Sequence, residues 1–357
     1  LYGLWRLLNA LLEPFPARRE PLVELVYQKR SLARGPRVVA IGGGTGQSTL
    51  LRGLKELSSN ITAVVTVADD GGSSGKLRQE LGVPPVGDIR NCIAALADAE
   101  PAMGSLMQYR FPASEAEPGV AGHALGNLLI AAMADITGDF EEGVRGANRV
   151  LAVRGQVVPV AGEALNLSAE LADGTTLQGQ SRIGRSRGIR RVWLSPASIE
   201  ASHEAVEAIG SADLIVLGPG SLYTSLLPSL LVPGIRAALE QASGLRVYVA
   251  NVATQLGETE GYTLSEHVAA LSAHDVGHLV DVVLANDDTT ARVPSGYPAE
   301  PVRIDLPSND ARPRLEMAAV VDPDNAHRHD PQRLTQALLR LLDERPTARP
   351  VSPVRTA

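Results

Sequence analysis

Residues 37–57 read RVVAIGGGTGQSTLLRGLKEL. The first five, Arg37–Ile41, form a short apolar run of the kind that makes a strand buried on both faces. It runs directly into Gly42, Gly43, Gly44, Thr45 and Gly46, and the leucines that follow fall at helical period. A strand, a glycine loop and a helix start in succession bring free backbone N–H groups and the positive end of a helix dipole to one point. That combination favours an anion, phosphate above all. The loop is not a P-loop, because no Lys-Ser/Thr pair follows at the required spacing. Nor is it a complete dinucleotide fingerprint: Gln47 follows Gly42-x-Gly44 where the third glycine should stand, and Thr49 follows Gly44-x-Gly46.

The same pattern recurs outward along the chain. ITAVVTV (Ile61–Val67) ends in ADDGGSSG. Asp69 and Asp70 therefore stand where a dehydrogenase would hold a ribose hydroxyl. They suit equally a Mg²⁺ ion held by hard oxygen ligands against a diphosphate, or a solvated turn. In VGDIRNC (Val86–Cys92), Asp88 is placed to cap a helix and Arg90 reads as a phosphate fork or an internal ion-pair partner. Cys92, among Ile93, Leu96 and alanines, reads as a buried inert thiol. GHALGNLLIAAMADITGDF (Gly122–Phe140) is a helix whose start carries His123, Gly126 and Asn127, and the His reads as a packing residue before a catalyst. DLIVLGPGSLYTSLLP (Asp213–Pro228) puts Gly218, Gly220, Ser221, Tyr223, Thr224 and Ser225 at the carboxyl end of a strand, where open α/β sheets bind ligands. RVYVANVATQLGET (Arg246–Thr259) adds Asn251, Thr254 and Gln255, and HLVDVVLAN ends at Asn286. These loops are expected to converge on one elongated cleft. Gln156 to Leu194 alternates at period two about an Asp173-Gly174 turn and is expected to be a small antiparallel insertion. The expected fold is α/β: a Rossmann-like, mostly parallel sheet with helices on both faces, carrying that insertion.

Composition narrows the function classes. The chain has 357 residues, 44% apolar and 20% charged, with 33 basic against 40 acidic side chains. Aromatics are only 3%, so the core rests on Leu, Val, Ile and Ala, and a base-stacking single-strand binder is excluded. The net charge of −7 removes the electrostatic footprint of a nucleic-acid partner. A single cysteine excludes internal disulfides and zinc ribbons, and a reducing, cytoplasmic setting fits. Residues 1–36 are basic, with Leu4, Leu7, Leu8, Leu11 and Leu12 at helical spacing. They are expected to be a surface helix and linker, or a juxtamembrane segment whose upstream span tethers the full-length protein. Residues 37–345 are expected to be one ligand-binding domain, and 346–357 a disordered tail.

With those segments in hand, the chain resembles the YvcK/CofD-like family. GGGTG, TVADDGGSSG, GDIRNC, the GH..GN helix, ITGDF, GPGSLYTS, NVATQLGET and RHD (Arg328–Asp330) follow its order over residues 36–345. The match is to the YvcK branch, the gluconeogenesis factors. The resemblance implies a Rossmann-like fold that binds nucleotide diphosphate sugars, UDP-N-acetylglucosamine above all. It also implies a regulatory role in carbon allocation to the cell wall, and so in cell shape, with no known reaction. The sister branch, CofD, is a Mg²⁺-dependent transferase that moves a phospholactyl group from a guanosine nucleotide to a deazaflavin precursor, and it stands as the alternative. An NAD-dependent enzyme is least supported, since no nucleophile–base pair and no hydride-transfer His stand out.

Carried over by residue, the resemblance places Gly42 to Gly46 on the family's nucleotide loop and Asp69 and Asp70 on its acidic loop, with Mg²⁺ as their candidate ion. Gly218, Gly220, Ser221, Tyr223, Thr224, Ser225 and Asn251 fall on further ligand loops. Tyr297 in GYPAEPV and Arg328 of RHD fall on a tyrosine and an arginine associated with the sugar nucleotide. No catalytic residue is assigned. Pro331 stands where some relatives carry a phosphorylatable Thr, so that modification is impossible here. A homo-oligomer and an unidentified protein partner are expected.

Overall fold

The computed structural model describes residues 22–344, except 99, 113–118, 295, 297–298 and 308–312. The expected N-terminal leucine stretch and the tail 346–357 lie outside the described residues. Strand β1 (Val38–Gly42) is buried along its whole length and is an interior strand of a seven-stranded sheet. To one side lie β2 (Ile61–Val65) and β3 (Gln156–Pro159). To the other, skipping the insertion strands, lie β7 (Leu214–Leu217), β8 (Leu245–Val249), β9 (Val282–Asn286) and β10 (Arg314–Ala318). Every pairing in this sheet is parallel. The uninterrupted apolar runs VVAI and LIVL are what such doubly covered strands require.

The strand order reverses between β1 and β7, the switch point at which loops diverge and a crevice opens. Register sets its depth. Val38 pairs with Ile61 on one side and Leu214 on the other, so Ile41 lies level with Leu217 and the two glycine loops leave the sheet at one height.

The helix Gly44–Leu54 that follows β1 packs against the helices Gly87–Leu96 and Pro331–Asp343. ITGDF proves to be a helix junction. Gly138 ends Leu125–Thr137 in the left-handed conformation, and the Asp139 carboxylate accepts from the Glu142 N–H to start Phe140–Val150. No single helix among the described residues is long and apolar enough to cross a membrane.

The insertion is smaller than its sequence suggests. Gln156–Pro159 pairs parallel with β2 and belongs to the main sheet. The antiparallel sheet comprises only β4 (Leu167–Leu171), β5 (Thr176–Gln178) and β6 (Ile189–Leu194), in the order β5-β4-β6. It touches both halves of the main sheet. The Ser181 N–H, in the short helix Gln180–Ile183, donates to Asp70 after β2. On the other side Arg187 pairs with Glu260 at 2.8 Å, and the Val192 N–H donates to His274.

Helix packing around the glycine loop gives a direct test. At Gly53 an added Cβ would run into the Pro331 carbonyl and the Thr335 hydroxyl, whereas at Gly210 nothing lies within 4 Å. Gly→Ala in a helix ordinarily stabilises by about 0.5–1 kcal/mol. Urea unfolding should show that gain for Gly210→Ala and, for Gly53→Ala, a loss of about 1–3 kcal/mol from overpacking.

Candidate functional site

The glycines at the switch point answer to backbone-on-backbone packing. A Cβ at Gly46 would stand 2.6 Å from the Pro219 carbonyl oxygen, and one at Gly220 3.0 Å from that of Gly43. Gly43 faces Asp88, whose Oδ2 would be 2.5 Å from a Cβ there. Gln47 replaces the missing fingerprint glycine because its side chain is structural. Its amide donates to the carbonyls of Ala40 (2.8 Å) and Val64 (3.2 Å), tying β1 to β2 from within the core. The Cys92 thiol donates to Gln47 Oε1, and burial pushes that thiol's pKa up, as expected of an inert cysteine.

Above these loops lies a cleft of about 660 Å³. Gly43 to Gly46 and the polar stripe Ser48, Thr49 and Arg52 form one wall, at the i, i+3, i+4, i+7 positions of a single helix face counted from Thr45. Pro219, Gly220, Ser221 and Asn251 form the opposite wall, with Thr254 and Gln255 beside them. The Asn251 side chain clamps the Gly220 peptide, donating to its carbonyl (3.0 Å) and accepting from its N–H (3.2 Å). Gln255 donates to the Ser221 hydroxyl at 2.8 Å.

The RHD triplet closes the cleft with three separate tasks. Arg328, on β12 (Asn325–His329), which pairs antiparallel with β11 (Val321–Asp322), is exposed, lines the cleft and makes no side-chain hydrogen bond among the described residues. His329 is buried and its Nε2 lies 3.2 Å from the Ala250 carbonyl, next to Asn251. Asp330 caps the helix Pro331–Asp343 by accepting from the Arg333 N–H.

Other expected residues go elsewhere. Tyr223, Thr224 and Ser225 are buried and absent from the cleft lining. Their turn is held by Glu258, a residue the motif reading passed over, because a lone carboxylate in a loop carries no periodic signal. Asp69 and Asp70 also fall outside the lining. Asp69 accepts from the Gly71 N–H while Asp70 accepts from Ser181, so different elements hold the two carboxylates. The acid coupled to Asp69 is Asp88, beside Gly43, rather than the helix cap it resembled. No cluster of three or more metal-ligating side chains occurs among the described residues. Tyr297 lies outside the described residues. Arg90 is turned inward, donating to Asn127 (3.1 Å) and Asn91 (3.0 Å). Ser73 accepts from Asn127 at 3.0 Å and contacts His123, so the GH..GN helix is bound to the acidic loop from inside. Asn286 accepts from the N–H groups of Val320 and Val321 and serves the fold.

A family model described as 2-phospho-L-lactate transferase CofD matches residues 38–322. The chain belongs to the YvcK/CofD-like family. Within it, the chain is 44% identical to the gluconeogenesis factor of Bacillus subtilis over 321 residues, covering 88% of this chain and all of that one. It is 46% identical over 309 residues to the gluconeogenesis factor of Halalkalibacterium halodurans, covering 85% and 95%. The crystal structure of a UPF0052-family protein from Bacillus halodurans superposes with a TM-score of 0.77 at 43% identity, covering 86% of this chain and 99% of that one. The Rossmann-like fold of this family member is thus matched in sequence and in structure.

Three buried groups give the stability a defined pH dependence. Burial drives the His329 pKa from 6.5 down to about 4. Its folded value lies below the unfolded one, so its contribution is present above pH 6.5 and is lost as pH falls toward 4. Burial raises Asp88 to about 6 and Glu258 to about 7, so their contributions have the opposite sign and fade as pH rises through those values. His329→Gln should therefore lower the thermal midpoint most at pH 6.5 and above, and the gap to the native chain should narrow steadily toward pH 4.5.

Proposed function

We propose that the cleft binds a nucleotide diphosphate sugar of the UDP-N-acetylglucosamine class, and that binding makes this chain a regulator of carbon allocation to the cell wall and hence of cell shape. One observation carries the reading: the start of the Gly44–Leu54 helix and the exposed guanidinium of Arg328 line the same cleft. A helix N-terminus offers N–H donors and dipole, and an Arg offers a planar fork for phosphate oxygens. Thr45, Ser48, Thr49 and Gln255 add hydroxyl and amide groups suited to phosphate and sugar hydroxyls. The cleft's volume falls in the ordinary range for small-ligand sites of roughly 300–1,000 Å³. The relatives' name, gluconeogenesis factor, favours regulation over turnover.

The description of the matching family model favours a second reading, a transferase of CofD type acting on a guanosine nucleotide.

Isothermal titration with UDP-N-acetylglucosamine and with GDP, each with and without Mg²⁺, separates the two. The sugar nucleotide should bind without the metal, and Arg328→Ala should weaken it about 10-fold or more, the cost of a charged hydrogen bond. Because Arg328 is exposed and its side chain is unbonded among the described residues, the free variant should melt with the native chain. An unchanged dissociation constant would remove Arg328 from the site. Product from guanosine phospholactate and a deazaflavin acceptor would establish the transferase instead.

A further inference from the structure

Two helical starts meet at the switch point, and a buried carboxylate stands beside each: Asp88 beside Gly43 and Gly44, and Glu258 at the second. The first, at Gly43 to Gly46, faces the cleft. The second begins the helical run Leu222–Leu230 and is closed from inside the protein. Glu258, in the loop after β8, is only 1% exposed. Its Oε1 accepts from the N–H of Tyr223 (2.5 Å) and of Thr224 (3.0 Å), and its Oε2 accepts from the Thr224 hydroxyl at 2.9 Å. Those N–H groups belong to the first turn, whose donors have no partner within the helix and would otherwise suit an anion. No Lys or Arg forms a salt bridge with Glu258 among the described residues, so these donors are its neutralising environment.

We propose that Glu258 is the internal occupant of the second glycine loop: its carboxyl group takes the Tyr223 and Thr224 donors that a ligand phosphate would otherwise use, and so keeps the ligand off that turn. The inference rests on the cleft being a phosphate-ligand site, as proposed above. Glu258 is a positioning residue, since it does not line the cleft. Its loop fixes the opposite wall residue by residue: Asn251 clamps Gly220, Gln255 holds Ser221, and Glu258 holds Tyr223 and Thr224. This accounts for a loop rich in hydroxyls, GPGSLYTS, that presents only its first residues to the cleft. It also makes the wall preformed, because its shape does not wait for a ligand.

The test removes the occupant and supplies it again. Glu258→Ala deletes an acetate-sized group, so its thermal midpoint should fall. Sodium acetate should then raise that midpoint by several degrees, against little change in the native chain or with equal ionic strength of sodium chloride. Affinity of Glu258→Ala for UDP-N-acetylglucosamine should drop several-fold and recover with acetate. Glu258→Gln keeps an acceptor for both N–H groups, so it should bind the sugar nucleotide within about twofold of the native chain. Inorganic pyrophosphate should titrate one site in the native chain and a second in Glu258→Ala. If acetate acts equally on native and Ala chains, or if the Gln variant loses binding as fully as the Ala variant, the occupant role is refuted. If Glu258→Ala does not fold, the Gln variant's affinity still decides. If the native chain binds no sugar nucleotide, the reading of the cleft fails, while the acetate comparison still settles whether Glu258 occupies that loop.

Discussion

The architecture around the cleft depends on one contact, the meeting of two peptide backbones where β1 and β7 release their chains. Gly46 lies against the Pro219 carbonyl and Gly220 against that of Gly43, with no side chain between them. Parallel strands paired in register deliver both loops to this height, and only glycine lets them close there. Their packing sets the floor of the cleft and aims the first turn of the Gly44–Leu54 helix into it. A bulkier residue on either loop would part the strands' ends and the donors with them.

The opposite rim is fastened to that same helix by an indirect route. Arg328 lines the cleft from β12, while Asp330, two residues later, starts the helix Pro331–Asp343. That helix sits on Gly53, at the far end of the helix that the glycine loop begins. His329 joins the rim to the end of β8 through the Ala250 carbonyl. Three neighbouring residues thus connect the cleft rim, the core and a packing helix.

Much of this was legible in the sequence, and the parts that were not share a cause. The strands were readable because doubly covered strands must be apolar throughout, and the loops because glycine has few other reasons to recur after a strand. The start of the insertion was misplaced at Gln156: a parallel edge strand such as VVP, followed by alternating residues, has the same local pattern as the first strand of a hairpin. Tyr223, Thr224, Asp69 and Asp70 looked like ligand contacts because hydroxyls and carboxylates beside glycines usually are. In the structure Tyr223, Thr224 and Asp70 bond to residues far along the chain, while Asp69 accepts from Gly71, two residues on. Glu258 is 34 residues from Thr224, and Ser181 is 111 from Asp70. Local pattern shows that a polar group needs a partner; only the fold shows which one. Thr49 and Arg52 were recoverable, since they continue the helical stripe that begins at Thr45.

The small antiparallel sheet, which bears no cleft residue, bridges the two halves of the molecule. It is fastened to the loop after β2 through Asp70 and Ser181, and to the segments after β8 through Glu260 and His274. These attachments straddle the line between β1 and β7 along which a doubly wound protein would hinge. Hinge opening along that line would have to break the Ser181–Asp70 and Val192–His274 hydrogen bonds together with the Arg187–Glu260 pair.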